Sequence, residues 1–199
     1  MQANTVYSYT FNELSDSAKE TARGNYRQYG LDYEWYDCTF DDWKAALLLI
    51  GIDVSNIYFS GFSSQGDGAC FECDYSYVPG WRKAVKSEFG GSIQTILLTA
   101  GKHLQAIQKP YFYSVMATVK HSGRYSHQNC TDFTIETGEH FESSDIIDLE
   151  DDIKSVLRRL MIELYRTLES EYYHLTSDSV IDEMMGDSNW QFLESGDMY

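Results

Sequence analysis

Residues 60–75 read SGFSSQGDGACFECDY, a glycine- and serine-rich stretch with one aspartate running into two cysteines. Three chemistries compete for it. Zinc is the first, since Cys70-x-x-Cys73 has ligand-like spacing, with His121, His127 and Cys130 as candidate partners. The cysteines fall, however, in a run that reads as a strand, where residues three apart point to opposite faces. No second CxxC exists in the chain, and buried reduced thiols are the simpler reading, with no metal and no cofactor. A phosphate cradle is the second, but it needs glycines between a strand and a helix. QGDGA opens into a strand instead, and Asp67 would repel an anion. Nucleophilic catalysis is the third. Ser60, Ser63, Ser64, Ser126, His121, His127 and Asp67 would form a Ser/His/Asp cluster only if two loops met, and no GxSxG elbow is present. No catalytic residue is therefore assigned. The stretch reads as a hairpin bend, with Gly66 and Gly68 free to take positive φ. Gln65, Asp67, Arg124 and His127 are retained as candidates for a ligand-binding loop pair.

The elements that must position these loops follow from changes of period. VSNIYFSGF and ACFECDYSYV flank the turn-rich loop as two strands, and YFYSVMATVK and TDFTIET flank HSGRYSHQNC as two more. Between the pairs, WRKAVKSEF reads as a short helix. SIQTILLTAGKHLQAIQ follows as a longer one, with Ile93, Ile96, Leu97, Ala100, Leu104 and Ile107 on one face. Ahead of the strands, TVYSYTF (5–11) suits a short strand and Ser15 caps a helix reaching Gly30. A second helix begins at a Thr39 cap and ends at Gly51. The C-terminal third is helical, with Leu149, Ile153, Leu157, Leu160, Leu164 and Leu168 on one stripe and acids at its start that suit the helix dipole. A short helix follows, capped near Ser177 and stopped at Gly186. The expected fold is α+β: an antiparallel sheet of about four strands in two hairpins, flanked by helices. One domain spans 1–199, with a helical region 1–52, the hairpins in 53–140 and an acidic helical region 141–199. The hairpins resemble one another, sharing Ser-Gly-x-x-Ser at 60–64 and 122–126 with Phe71 and Phe133 at the same offset.

Charge narrows the partners. The net charge is −16, with residues 81–141 carrying seven bases against four acids and residues 142–199 fifteen acids against four bases. Such a chain is repelled by nucleic acid and by anionic membrane, and is attracted to a basic protein surface. YGLDYEWYD around residues 29–37 adds aromatic anchors among carboxylates, the composition of a contact surface. Tyr33, Glu34, Trp35 and Tyr36 are the candidates there, and Asp148, Glu150, Asp151 and Asp152 on the acidic helix. No apolar run approaches the length of a membrane span, and MQANTVYSYTF lacks a secretory leader, so a cytoplasmic location is expected.

Four stretches carry a family resemblance: YSYTFNELSDSAKETAR, YFSGFSSQGDGACFECDY, HSGRYSHQNCTDF and LESEYYHLTSDSVIDE. Together they resemble small, mostly uncharacterised accessory proteins of tailed phages and prophages, some of which carry the label of a toxin–antitoxin stability antitoxin. The resemblance implies a phage accessory gene acting in the bacterial cytoplasm, and it transfers no catalytic residue. The expected function is then an acidic binding protein. It inhibits a host or anti-phage defence protein with a basic surface by protein–protein contact, mimicking nucleic-acid charge, without touching nucleic acid or membrane. The alternative is a small-molecule-binding or hydrolytic protein using the two hairpin loops. Sequence leaves the oligomeric state open.

Overall fold

The computed structural model describes residues 7–31, 34–137 and 143–199. In chain order its helices and strands are α1 (Asp16–Asn25), α2 (Asp37–Leu48), β1 (Ile52–Ser60), β2 (Gly68–Ser76), α3 (Trp81–Glu88), α4 (Gly91–Gln108), β3 (Met116–His121), β4 (Thr131–Glu136), α5 (Ser143–Leu175) and α6 (Asp178–Asp187). The fold is α+β, with one four-stranded antiparallel sheet in the order β1-β2-β3-β4. Two compact units are present, one of residues up to Tyr36 with Ser170–Tyr199, the other of Asp37–Glu169.

In the Asp37–Glu169 unit the sheet has one covered and one open face, as strand alternation dictates. Ile52, Val54 and Ile57 of β1, Phe71, Cys73 and Tyr75 of β2, and Ala117 and Val119 of β3 are buried on the covered face. A bulge at Ser55, between the pairs Val54↔Cys73 and Asn56↔Glu72, keeps Val54 and Ile57 on that same face although they are three residues apart. Gly51 stops α2 at φ 87. A Cβ there would stand 1.9 Å from the Ser76 carbonyl oxygen, so only glycine lets α2 turn into β1 beside the end of β2. Phe71 and Phe133 sit at corresponding positions of the two hairpins, opposite Ile57 and Val119. Lys154 and Arg158 of α5 lie over the Phe133 ring.

The passage from α4 to β3 is fixed by a buried amide. Gln108 Nε2 donates to the Val115 carbonyl at 2.6 Å and to the Tyr75 hydroxyl at 3.3 Å, while Val115 N–H donates to Gln108 Oε1 at 3.1 Å. The side chain thus stands in for a neighbouring strand. Burial pushes the Tyr75 phenol up to about 12, so it stays a neutral partner.

In the other unit Phe11, Leu14, Ala18 and Ala22 pack on Ile181, Met185 and Phe192. Arg23 forks onto Asp182, Nε to Oδ1 at 2.7 Å and Nη2 to Oδ2 at 2.6 Å. One turn on, Arg27 pairs with Asp178 and donates through Nε to the Thr176 carbonyl at 3.0 Å. The Arg23 guanidinium holds the Asp182 carboxyl below its ordinary value of 3.8.

Three expectations change. Of the strand expected at 5–11, the described residues form only the Tyr9↔Phe192 bridge. Phe11 opens a 3-10 turn, closed by Thr10 N–H donating to Glu13 Oε2 at 2.8 Å. α2 starts at Asp37, so Thr39 lies inside the helix and not at its cap. α5 starts at Ser143, which puts Asp148, Glu150, Asp151 and Asp152 beyond its first turn, where the dipole no longer favours them.

Two outcomes test these contacts. Gln108→Leu strands the N–H and C=O of Val115 and should cost about 2–4 kcal/mol in urea unfolding. Because Asp182 is depressed when folded, its pair with Arg23 stabilises fully above the ordinary aspartate value and is lost as pH falls through the lower folded one. Asp182→Asn should flatten the acid limb of the stability profile and leave the neutral-to-alkaline limb parallel to wild type.

Candidate functional site

The segment 122–130 folds over the β1–β2 loop, so the two hairpin loops do meet. A Cβ on Gly68 would stand 2.6 Å from His127 Cα, and one on Gly66 2.5 Å from the Tyr125 ring. Gly66 is left-handed, at φ 93; Gly68 is not, and its bareness serves the approach of His127. Tyr58 stacks on His121 at 4.1 Å, and His121 Nε2 donates to the Tyr125 carbonyl at 2.9 Å. The Asp67 carboxylate accepts the N–H groups of Ser63 and Ser64 at 2.8 and 2.6 Å, which closes its own loop. Gln65 and Arg124 are exposed.

This meeting brings no aligned nucleophile. Cys130 Sγ lies 3.6 Å from His127 Nε2 and 3.9 Å from Nδ1. An atom on the Nε2 lone pair would stand much further from Nδ1, so the sulfur is on neither nitrogen's axis. Nδ1 already accepts the Asn129 N–H at 3.1 Å, so that nitrogen is not free to take the thiol proton. Among the described residues no serine hydroxyl bonds an imidazole.

Cys70 and Cys73 lie on opposite faces of β2, opposite Tyr58 and Val54 respectively. Both are buried, and burial pushes each thiol up to about 12. Among the described residues no three His, Cys, Asp or Glu side chains are grouped to hold a metal ion.

The open face of the sheet carries a different chemistry. Asp53 of β1 is directly opposite Asp74 of β2, and Asp74 Oδ1 accepts the Thr118 hydroxyl at 2.7 Å. Glu72, Asp132 and Glu136 share this face, and Lys120 is its one cation among the described strand residues. Like charges directly opposed across a ladder cost stability. At the Gly51 end, Asp53, Asp74 and Glu136 line a groove of about 390 Å³ with Leu48, Val78 and Met116. Those three apolar side chains are 54%, 37% and 49% exposed. Carboxylates beside bare apolar groups suit a lysine- or arginine-bearing protein surface, whose alkyl stems and charges both find partners.

The expected contact residues are placed as follows. Tyr33 lies outside the described residues. Glu34 is exposed, while Trp35 packs against Tyr36 and Tyr172 with ring centroids 5.6 and 5.7 Å apart. Asp148, Asp151 and Asp152 are exposed on α5, and Glu150 pairs with Lys154. Asp178 and Asp182, in the acidic segment that follows, are engaged by Arg27 and Arg23. Sequence reasoning missed Asp53, Asp74 and Glu136. The signal was present in D-V-S-N-I and C-D-Y-S, where strand alternation sets carboxylates opposite the apolar positions. Their convergence required the register.

Native thiol labelling should separate the four cysteines. Exposed Cys38 reacts at once and half-buried Cys130 more slowly, whereas Cys70 and Cys73 react only on unfolding. Fast labelling of all four would contradict the packing of β2.

Among the described residues no helix is long and apolar enough to cross a membrane. No curated protein and no solved structure matches the chain. A family model does match, over residues 35–178, a stretch that contains both hairpin loops and the acidic groove. The chain belongs to the family described as domain of unknown function DUF8835.

Proposed function

We propose that the chain is a non-enzymatic binding protein whose open sheet face engages a basic surface of a protein partner. The observation that carries this reading is the Asp53–Asp74 pair, held directly opposed beside exposed Leu48, Val78 and Met116. An arrangement that costs stability in the free chain is relieved when a cation sits between the carboxylates. The acids of α5 and the aromatic stretch from Glu34 to Tyr36 extend the contact candidates. In the setting that the phage resemblance implies, the partner is a cytoplasmic host or defence protein. Occupying its basic channel in the manner of nucleic-acid charge inhibits it.

The second reading, a small-molecule-binding or hydrolytic protein, is favoured by the meeting of the two hairpin loops. The unaligned Cys130–His127 pair weighs against its hydrolytic form.

Affinity capture from the bacterial host, washed at rising salt, tests the first reading. A stoichiometric basic partner released by salt is expected, and Asp53→Lys/Asp74→Lys should lose it. Asp74→Asn is the sharper variant. Its amide oxygen can keep the Thr118 bond, so it should raise stability by about 0.5 kcal/mol or less while weakening capture. Undiminished capture by both variants would sink the role of this face.

A further inference from the structure

Apart from Tyr125 in the β3–β4 loop, the exposed large apolar residues described in the Asp37–Glu169 unit gather at one end of the sheet. Leu48 ends α2, Val78 follows β2, and Phe112, Tyr113 and Met116 lie between α4 and the first residue of β3. Phe112 is 86% exposed, and both Phe112 and Tyr113 are left-handed, at φ 52 and 61. Bulky residues avoid that region, and such strain persists only where the surroundings over-determine it. Here Tyr113 N–H donates to the Gln108 carbonyl at 3.0 Å, Phe112 N–H to that of Lys109 at 3.3 Å, and the Tyr113 ring packs on Tyr77 at 4.3 Å. The backbone is bent to hold a phenylalanine out into solvent.

This aromatic ridge, the turn that carries Phe112, touches two grooves of opposite sign: Tyr113 packs on Tyr77, which lines one, and Met116, three residues on, lines the other. On the open face lies the carboxylate groove of Asp53, Asp74 and Glu136. On the other side α4 is tied to the covered face through Gln108 and Tyr75, and α3 packs on α4 through Trp81 against Gly101. There Arg82, Lys83 and Lys86 line a groove of about 530 Å³ with Tyr77 and Gln105. Among the described residues none of these three cations, nor Lys109 beside the ridge, makes an ion pair. Arg82 lies over the Trp81 ring at 5.3 Å, and a cluster of cations without carboxylate partners is unexpected in a chain of net charge −16.

We infer that this end of the sheet is a self-complementary interface at which two copies of the chain pair about a two-fold axis. The Phe112 ridges meet at the axis, and the basic groove of each copy covers the acidic groove of the other. A two-fold contact demands a patch that matches itself, and acid–apolar–base does so. Charge complementarity selects the occupant. Nucleic acid and anionic membrane are repelled by the chain as a whole, whereas a second copy offers a carboxylate groove beside a matching apolar ridge. The inference rests on the proposed function in one respect, since pairing covers Asp53, Asp74 and Glu136 and so regulates access to them.

Sedimentation equilibrium of the full chain over a wide concentration range is the test. A reversible dimer is expected, its Kd raised tenfold or more by Phe112→Asp, by Lys83→Glu/Lys86→Glu, and by Asp53→Lys/Asp74→Lys. Mixing the two charge-reversed chains should restore pairing, because each reversed groove then faces its opposite. That rescue also shows that both variants are folded. A chain monomeric throughout, a dimer indifferent to these changes, or a mixture that fails to pair would overturn the inference. The Lys83→Glu/Lys86→Glu chain keeps its acidic face, so capture of a partner by that chain tests the proposed function separately.

Discussion

The amide of Gln108 is the contact on which the larger unit depends. A fully buried glutamine must satisfy both ends of its side chain, and Gln108 does so on the backbone of Val115 and on Tyr75. That places the last turn of α4 against the covered face just where β3 enters the sheet. β3 is the strand that joins the two hairpins, through its pairs with β2 on one side and β4 on the other. Without the amide, the start of β3 would lose the hydrogen bonds that a neighbouring strand would otherwise provide. The same anchor fixes both ends of the turn from Lys109 to Ser114, which is why two aromatic residues can be kept there in a conformation they ordinarily avoid.

Covering one face of the sheet with helices leaves the other to solvent, and what fills it is informative. An open antiparallel face ordinarily carries mixed polar residues with cross-strand partners of opposite charge. Here carboxylates outnumber the single strand cation, two of them face each other, and a separate cluster of cations, Arg82, Lys83 and Lys86, stands on α3. The separation of sign is therefore three-dimensional. In the sequence it registers only as a mildly basic middle between acidic flanks.

Much of the fold was legible because its signals are local. Each strand of the two hairpins carries its own alternation, and Gly51 and the Ser15 cap mark boundaries by backbone chemistry. The 5–11 stretch misled because β propensity is realised only beside a partner strand, and Tyr9 finds a single residue, Phe192. The start of α5 misled because the acids from Asp148 onward look like a first turn, while the helix begins five residues earlier. The candidate site was harder to see for a different reason. Asp53 and Asp74 are 21 residues apart, and Leu48, Val78 and Met116 come from three separate junctions. Only the register of β1 on β2 and the return of the chain after α4 bring them together.

The bulge at Ser55 sets the phase of the first strand. Upstream of it the covered positions are Ile52 and Val54; downstream they are Ile57 and Phe59, a parity that only one extra residue reconciles. Were Ser55 drawn into the ladder as an ordinary strand residue, the two halves of β1 would fall out of step. Either Ile57 turns outward, or Asp53 turns inward onto the core and Ile52 and Val54 are bared. The acidic character of the open face therefore hangs on a single-residue insertion. Within this family, insertions or deletions in β1 away from the bulge should be far rarer than changes of side chain.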